Sequence, residues 1–225
     1  MTGPRPLPPQ LRADALEWVA FDADSDERQL RSGLVRVRLL DQWRRPLPLE
    51  HDVVSAAAPI AIRAVVPDAD DDALLHVNNR AFAWHPDQGG WTTRTLSERR
   101  AEDWYRDEDV LVHDAPDHAG RIDAFCWTKL HPATDGEPVL GEIYAIGVDP
   151  SAHGTGLGRA ITVAGLEHLT RRGAAAGMLY VEHDNVPALR MYERLGFTLH
   201  DQRAAYLPAA EARRRDIGLD LGDPE

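Results

Sequence analysis

The segment G-E-I-Y-A-I-G-V-D-P-S-A-H-G-T-G-L-G-R-A, residues 141–160, holds the densest chemistry in the chain. A run rich in β-branched residues leads into Val148-Asp149-Pro150, and glycines at 154, 156 and 158 then open into an apolar stretch with helical spacing. Glycines let a backbone pass close to a ligand with its N–H groups turned inward, and a helix start adds partial positive charge. The loop predicts a site for a phosphate or pyrophosphate, with a ligand-free glycine turn as the alternative. A nucleoside-triphosphate loop would place Lys and Ser or Thr after its glycines, but Arg159 and Ala160 follow Gly158. A dinucleotide fingerprint would need G-x-G-x-x-G in a parallel βαβ unit; the spacing here is G-x-G-x-G, with no clean ribose-binding acid at the end of the next strand. Of the 25 basic residues only Lys129 is a lysine. Arginine in place of lysine follows from a GC-rich genome and says nothing of function, so a lysine kept against that bias is a candidate for a specific contact.

The elements that must position these residues follow from patterning. The 225 residues amount to about one and a half domains of ordinary size. Residues 1–10, with four prolines, read as a disordered lead-in. The stretch 13–26 is ambiguous, Gly33–Leu40 alternates as a half-exposed strand that the prolines at 46 and 48 stop, and a linker is expected to about Pro59. Strands are predicted at 60–66, 110–113, 121–130, 141–148, 178–182 and 197–206. Helices are predicted after Asp68–Asp72, over 92–105, 158–171 and 186–195. Helices mixed with a largely antiparallel sheet make the fold class α+β.

A net charge of -12 argues against a nucleic acid or an anionic membrane as partner and suits a cationic or amine-bearing substrate. One cysteine, Cys126, excludes an intrachain disulfide and fits a reducing compartment. The start has no apolar core of the signal-peptide kind, and no stretch reaches the roughly 18 apolar residues of a spanning helix. A cytoplasmic protein is expected, monomeric and without a metal.

The glycine loop resembles that of the GNAT acetyltransferases. Their loop runs Q/R-x-x-G-x-G/A after a strand ending V-x-P, matched here by Val148-Asp149-Pro150 and by His153-x-x-Gly156-x-Gly158, with histidine in the first position. Asn185-x-x-Ala188-x-x-x-Tyr192-x-x-x-Gly196-Phe197 matches the family's second signature. The resemblance covers about residues 60–207 and implies acetyl-CoA as co-substrate. It implies coenzyme contacts from Ile146, Gly147, Val148, His153, Gly154, Thr155, Gly156, Leu157, Gly158 and Arg159 and, by a closer family resemblance, from Asn185 and Arg190, with the acetyl-thioester in a gap where the fourth and fifth strands splay. The N–H of Ile146 would polarise the thioester carbonyl, and Gly147 would sit at the bulge that splaying requires. Glu142, four residues before Ile146 and therefore expected on the same face, would take the amine proton, directly or through a water. Tyr192 holds the position from which a phenol protonates the coenzyme sulfur. The alternatives are a solvated strand residue for Glu142 and a core aromatic for Tyr192.

The runs at 80–90, 125–132, 141–150 and 179–188 look more closely like the mycothiol synthase family, which acetylates the cysteinyl amine of cysteinyl-glucosaminyl-inositol. By that resemblance Asp87, Lys129, Glu142 and Tyr180 would contact the pseudo-disaccharide. Exposed charge is the plain alternative for Asp87 and Lys129. Such synthases carry two tandem repeats. Residues 1–55 read as the remnant of a preceding repeat plus linker, and 60–225 as the acetyltransferase domain. Two other functions remain open at this stage: acetylation of another small amine or a peptide N-terminus, and a non-catalytic acyl-CoA-binding protein.

Overall fold

A computed structural model describes residues 12–13 and 16–214. Strands are β1 (Trp18–Ala20), β2 (Leu34–Pro46), β3 (Arg63–Ala64), β4 (Val110–Asp114), β5 (Ile122–His131), β6 (Leu140–Val148), β7 (Ala176–Glu182) and β8 (Thr198–Pro208). Helices are α1 (Ala23–Arg31), α2 (His51–Ser55), α3 (Asp71–Ala81), α4 (Thr93–Arg100), α5 (Leu157–Arg171), α6 (Val186–Arg194) and α7 (Ala209–Arg214). The chain divides into two compact units: a main unit of Arg44–Ala83 and Gln88–Leu179, and a second unit of residues up to Trp43, Trp84–Asp87 and from Tyr180 onward.

In the main unit the strands run β3-β4-β5-β6-β7. All pairs are antiparallel except β6 with β7, which pair in parallel from Leu140↔Ala176 to Ile143↔Leu179. This is the mixed sheet of an α+β fold. Alternation along β5 sends Trp127 and Phe125 to one face and Cys126 and Thr128 to the other. On the first face α3 and α4 contribute Leu74, Val77 and Leu96 to a core with Trp91, Phe125 and Trp127. On the other face α5 lies so close to the sheet that a methyl group on Gly165 would come within 2.4 Å of Cys126 Sγ. Gly141 and Gly177 give way in the same manner to Leu169 and Leu166 of that helix.

The second unit orders its strands β1-β8-β2. Trp18–Ala20 join this sheet, Trp18 pairing with Ala205 and Ala20 with Arg203. Val37, Ala205, Leu207 and Ala212 form its core, with Leu16, Trp18, Val35 and Trp84 packed around it.

Several expectations need correction. The strand expected over 60–66 shrinks to Arg63–Ala64, although Val65 N still donates to Val110 O at 2.8 Å. The helix expected to reach Tyr105 ends at Arg100, because Trp104 and Tyr105 turn to pack on Trp127, with ring centroids 6.2 and 5.4 Å away. The expected linker contains α2, and the ambiguous 13–26 stretch resolves into β1 and the start of α1. The lead-in at 1–10 lies outside the described residues. The bulge is also elsewhere: Trp127 pairs with Ala145 and Thr128 with Ile143, so the extra residue on β6 is Tyr144. Gly147 is in register with Phe125 and is glycine for a different reason, since a Cβ there would meet the Phe125 ring at 2.5 Å.

Candidate active site

The glycine loop is anchored at Asp149, which is fully buried. Its carboxylate takes two bonds from the Arg80 guanidinium, at 2.7 and 3.1 Å, and bonds from the Ser151 N–H and hydroxyl at 2.9 and 2.6 Å. Arg80 and then Ser151 hold this carboxyl far below the usual aspartate range, against the opposing effect of burial. After the 3-10 turn Pro150–Ala152, Gly154 and Gly156 adopt φ of 80° and 88°. A Cβ on either would meet open space, so backbone conformation alone requires glycine here. Gly156 is the N-cap of α5 and offers no side chain to the first-turn N–H groups. Leu157 N–H reaches the Thr155 hydroxyl oxygen at 3.4 Å, and the first-turn donors that follow it, at the positive end of a 15-residue helix, are left for an anion. This donor set fits a pyrophosphate. His153 is exposed, its Nε2 3.2 Å from Val148 O, and Arg159 directs Nη2 to Val53 O at 3.3 Å.

Glu142 is not a solvated strand residue. It is 8% exposed, and its Oε2 lies 2.6 Å from His131 Nε2. Its register partner is Lys129, whose Nζ sits 4.5 Å from the centroid of the Trp104 ring and 6.0 Å from that of Tyr144. The Tyr144 hydroxyl is engaged by Arg99. Burial, helped by Glu142 and Glu102, pushes this phenol above its ordinary range despite Arg99. Glu142 therefore lines an aromatic-walled group of ionisable side chains on the α4 face. Ile146 pairs with Cys126, not with a residue on the parity of Lys129, so the expected same-face relation between Glu142 and Ile146 fails at the bulge.

The remaining predicted residues belong to the second unit. Asp87 accepts from Arg38 Nη1 and from Ala13 N, both at 2.8 Å. Arg38 and Glu182, 5% and 4% exposed, form a buried pair beside His85. Burial raises the Glu182 carboxyl, but His85 and Arg38 outweigh it and hold it below its usual range. Tyr180 is exposed and accepts from Gln42. Asn185 caps α6, its side chain accepting from Ala188 N, and Gly196, at φ 80°, ends the helix so that Phe197 packs edge-on against buried Tyr192 at 5.7 Å. Arg190 lies exposed on α6.

The profile of the acetyltransferase (GNAT) family matches residues 77–197. The chain belongs to the GNAT family. This GNAT chain is 46% identical over 180 residues to a mycothiol acetyltransferase of Segniliparus rotundus, a match covering 79% of this chain and 66% of that one. It is 48% identical over 198 residues to a mycothiol acetyltransferase of Thermomonospora curvata, covering 86% of this chain and 63% of that one. It thus spans less than two thirds of the length of these curated relatives. Among solved structures, a GCN5-related N-acetyltransferase from Sphaerobacter thermophilus superposes with a TM-score of 0.63 at 23% identity, over 84% of this chain and 57% of that one, a likeness of fold. The GNAT family uses acetyl-CoA. Among the described residues no helix is long and apolar enough to cross a membrane.

Sequence reasoning on this GNAT chain passed over His131, Trp104, Tyr144 and Arg80. His131 had a signal, since it follows Lys129 by two residues and so shares its face of β5. The others had none, because their places depend on register and on packing between elements.

Proposed function

We propose that this chain is an acetyl-CoA-dependent N-acetyltransferase that acetylates the cysteinyl amine of cysteinyl-glucosaminyl-inositol to form mycothiol. The observation that carries this reading is the 46–48% identity to proteins named mycothiol acetyltransferase. Acetyl-CoA supplies a thioester whose carbonyl carbon gains a bond to the amine nitrogen as the bond to sulfur breaks. One proton must leave the nitrogen and one must reach the sulfur. The buried carboxylate of Glu142 takes the first. The N–H of Ile146, two residues past the bulge, donates to the carbonyl oxygen as it gains charge, an interaction worth about 3 kcal/mol. Tyr192 is assigned the second proton by its place in the Asn185–Phe197 signature. Gly154–Arg159 hold the pyrophosphate through backbone N–H groups, and Val148, Asn185 and Arg190 are assigned to the coenzyme by the same family motifs. Lys129 presents an ammonium to sugar hydroxyls or a carbonyl, and Asp87 and Tyr180 complete the assigned substrate contacts.

The test is direct. Purified protein should release thiol from acetyl-CoA when the cysteinyl pseudo-disaccharide is supplied, and form its N-acetyl product. Lys129→Ala should raise KM for the sugar substrate about tenfold, the loss of a charged hydrogen bond, and leave acetyl-CoA binding unchanged. Acetyl-CoA binding without transfer to this amine would retire the substrate and leave the family.

A further inference from the structure

The carboxylate of Glu142 has two oxygens in unequal settings. Oε2 lies 2.6 Å from His131 Nε2, while Oε1 has no hydrogen bond among the described residues. Lys129 is opposite Glu142 in the β5–β6 register, and His131, opposite Leu140, is on the same face one step along the diagonal. The ammonium of Lys129 goes to the Trp104 ring, so the imidazole, and not the register partner, holds the carboxylate. An imidazole nitrogen that faces an ionised carboxylate carries the hydrogen, so Nε2 donates in either charge state of the ring.

We propose that His131 is a positioning residue for Glu142, its Nε2–H fixing one carboxylate oxygen so that the other is presented to the incoming amine. This rests on the reading of Glu142 as the base. A buried carboxylate with no partner favours its protonated form and turns freely about its last torsion; both make it a poor base. His131 removes both faults at once, and with its side chain one-third exposed it is set in from the surface without sealing the site. The other groups that bear on Glu142 are Lys129 from β5 and Tyr144 from β6, the latter under the influence of Arg99 and Glu102. Its register partner on β7, Met178, carries no charge.

The experiment compares His131→Phe, His131→Gln and Glu142→Gln in the full chain, with kcat and KM measured against pH and acetyl-CoA binding measured by calorimetry. His131→Phe should lower kcat about tenfold and move the acid limb of the profile up by about one pH unit, with acetyl-CoA binding unchanged. His131→Gln, which keeps an N–H donor of similar reach, should recover most of kcat and return the limb. A phenylalanine variant with wild-type kcat and limb overturns the proposal, as does a glutamine variant as impaired as phenylalanine. Should the phenylalanine variant fail to bind acetyl-CoA, His131→Asn, too short to reach the carboxylate, replaces it with the same expected results. Glu142→Gln separates the two levels: its full activity would overturn the base assignment itself, whereas its inactivity beside an unaffected His131→Phe would overturn only the role of His131.

Discussion

Glu142 and Ile146, four residues apart on β6, face opposite sides of the sheet. Glu142 pairs with Lys129 and Ile146 with Cys126, and between them Tyr144 has no partner of its own on β5. One extra residue inverts the alternation of every side chain beyond it. The carboxylate consequently shares a face with Lys129, Trp127 and α4, while the Ile146 side chain goes to the α5 face.

The contact between Gly165 and Cys126 predicts a compensating pair. A Cβ on Gly165 would lie 2.4 Å from Sγ, and both positions are buried with little room to move. Gly165→Ala should cost about 1–3 kcal/mol of stability by overpacking. Cys126→Ala removes the opposing atom, so the double variant should be nearer to wild type than the sum of the two single changes. Urea titrations of the four proteins measure the coupling, and strict additivity would contradict the packing described. Burial pushes the Cys126 thiol up to about 12, so it should also resist thiol reagents at neutral pH until the protein unfolds.

Asp149 predicts a pH-dependent contribution. Its carboxyl is held below the ordinary aspartate value of 3.8 by Arg80 and Ser151, so the charged form is favoured by folding. A carboxyl depressed in the folded state contributes stability above its unfolded value and loses it as pH falls through the folded one. Asp149→Asn should therefore lower Tm at pH 7. The gap between variant and wild type should hold down to about pH 4 and close only in stronger acid. A gap that grows as pH falls would show the opposite linkage. Because Asp149 also anchors the glycine loop, acetyl-CoA affinity should fall in the same variant.

These two cases show what the sequence made legible. β4 to β6, α5 and α6 could be placed because each carries a strong period and clear ends: Asn185 and Gly196 cap α6, and the glycine loop introduces α5. The anion loop was legible for the same reason, since positive φ at Gly154 and Gly156 leaves a mark in residue type. The bulge left none. E-I-Y-A-I reads as uninterrupted strand, and the nearby Gly147 pointed to the wrong residue because a glycine demanded by the Phe125 ring cannot be told in sequence from one demanded by a bulge. α1 was equally opaque. It buries no residue and is held by polar contacts, Asp22 bonding Ser25 N at 2.8 Å and Arg36 pairing with Asp26, which hydrophobic periodicity does not register. The Glu142–His131 pair depends on strand register, which neither strand encodes alone.

Gly156 offers the sharpest test of the anion loop. Its φ of 88° lies in the left-handed region, yet nothing stands within 4 Å of where a Cβ would be. Substitution there perturbs the backbone and no packing. Alanine should cost about 1–2 kcal/mol by that route, and asparagine, which tolerates the left-handed region, should cost less. If the loop donates its N–H groups to a pyrophosphate only in this conformation, acetyl-CoA affinity must follow the same order, glycine above asparagine above alanine, with alanine weakened about tenfold or more. Dephosphorylated pantetheine thioesters, which carry no pyrophosphate, should be bound alike by all three proteins. Calorimetric titration with both ligands separates a loss of phosphate binding from a general loosening of the fold. Equal affinity of the three proteins for acetyl-CoA would mean that the loop's shape is not what holds the coenzyme.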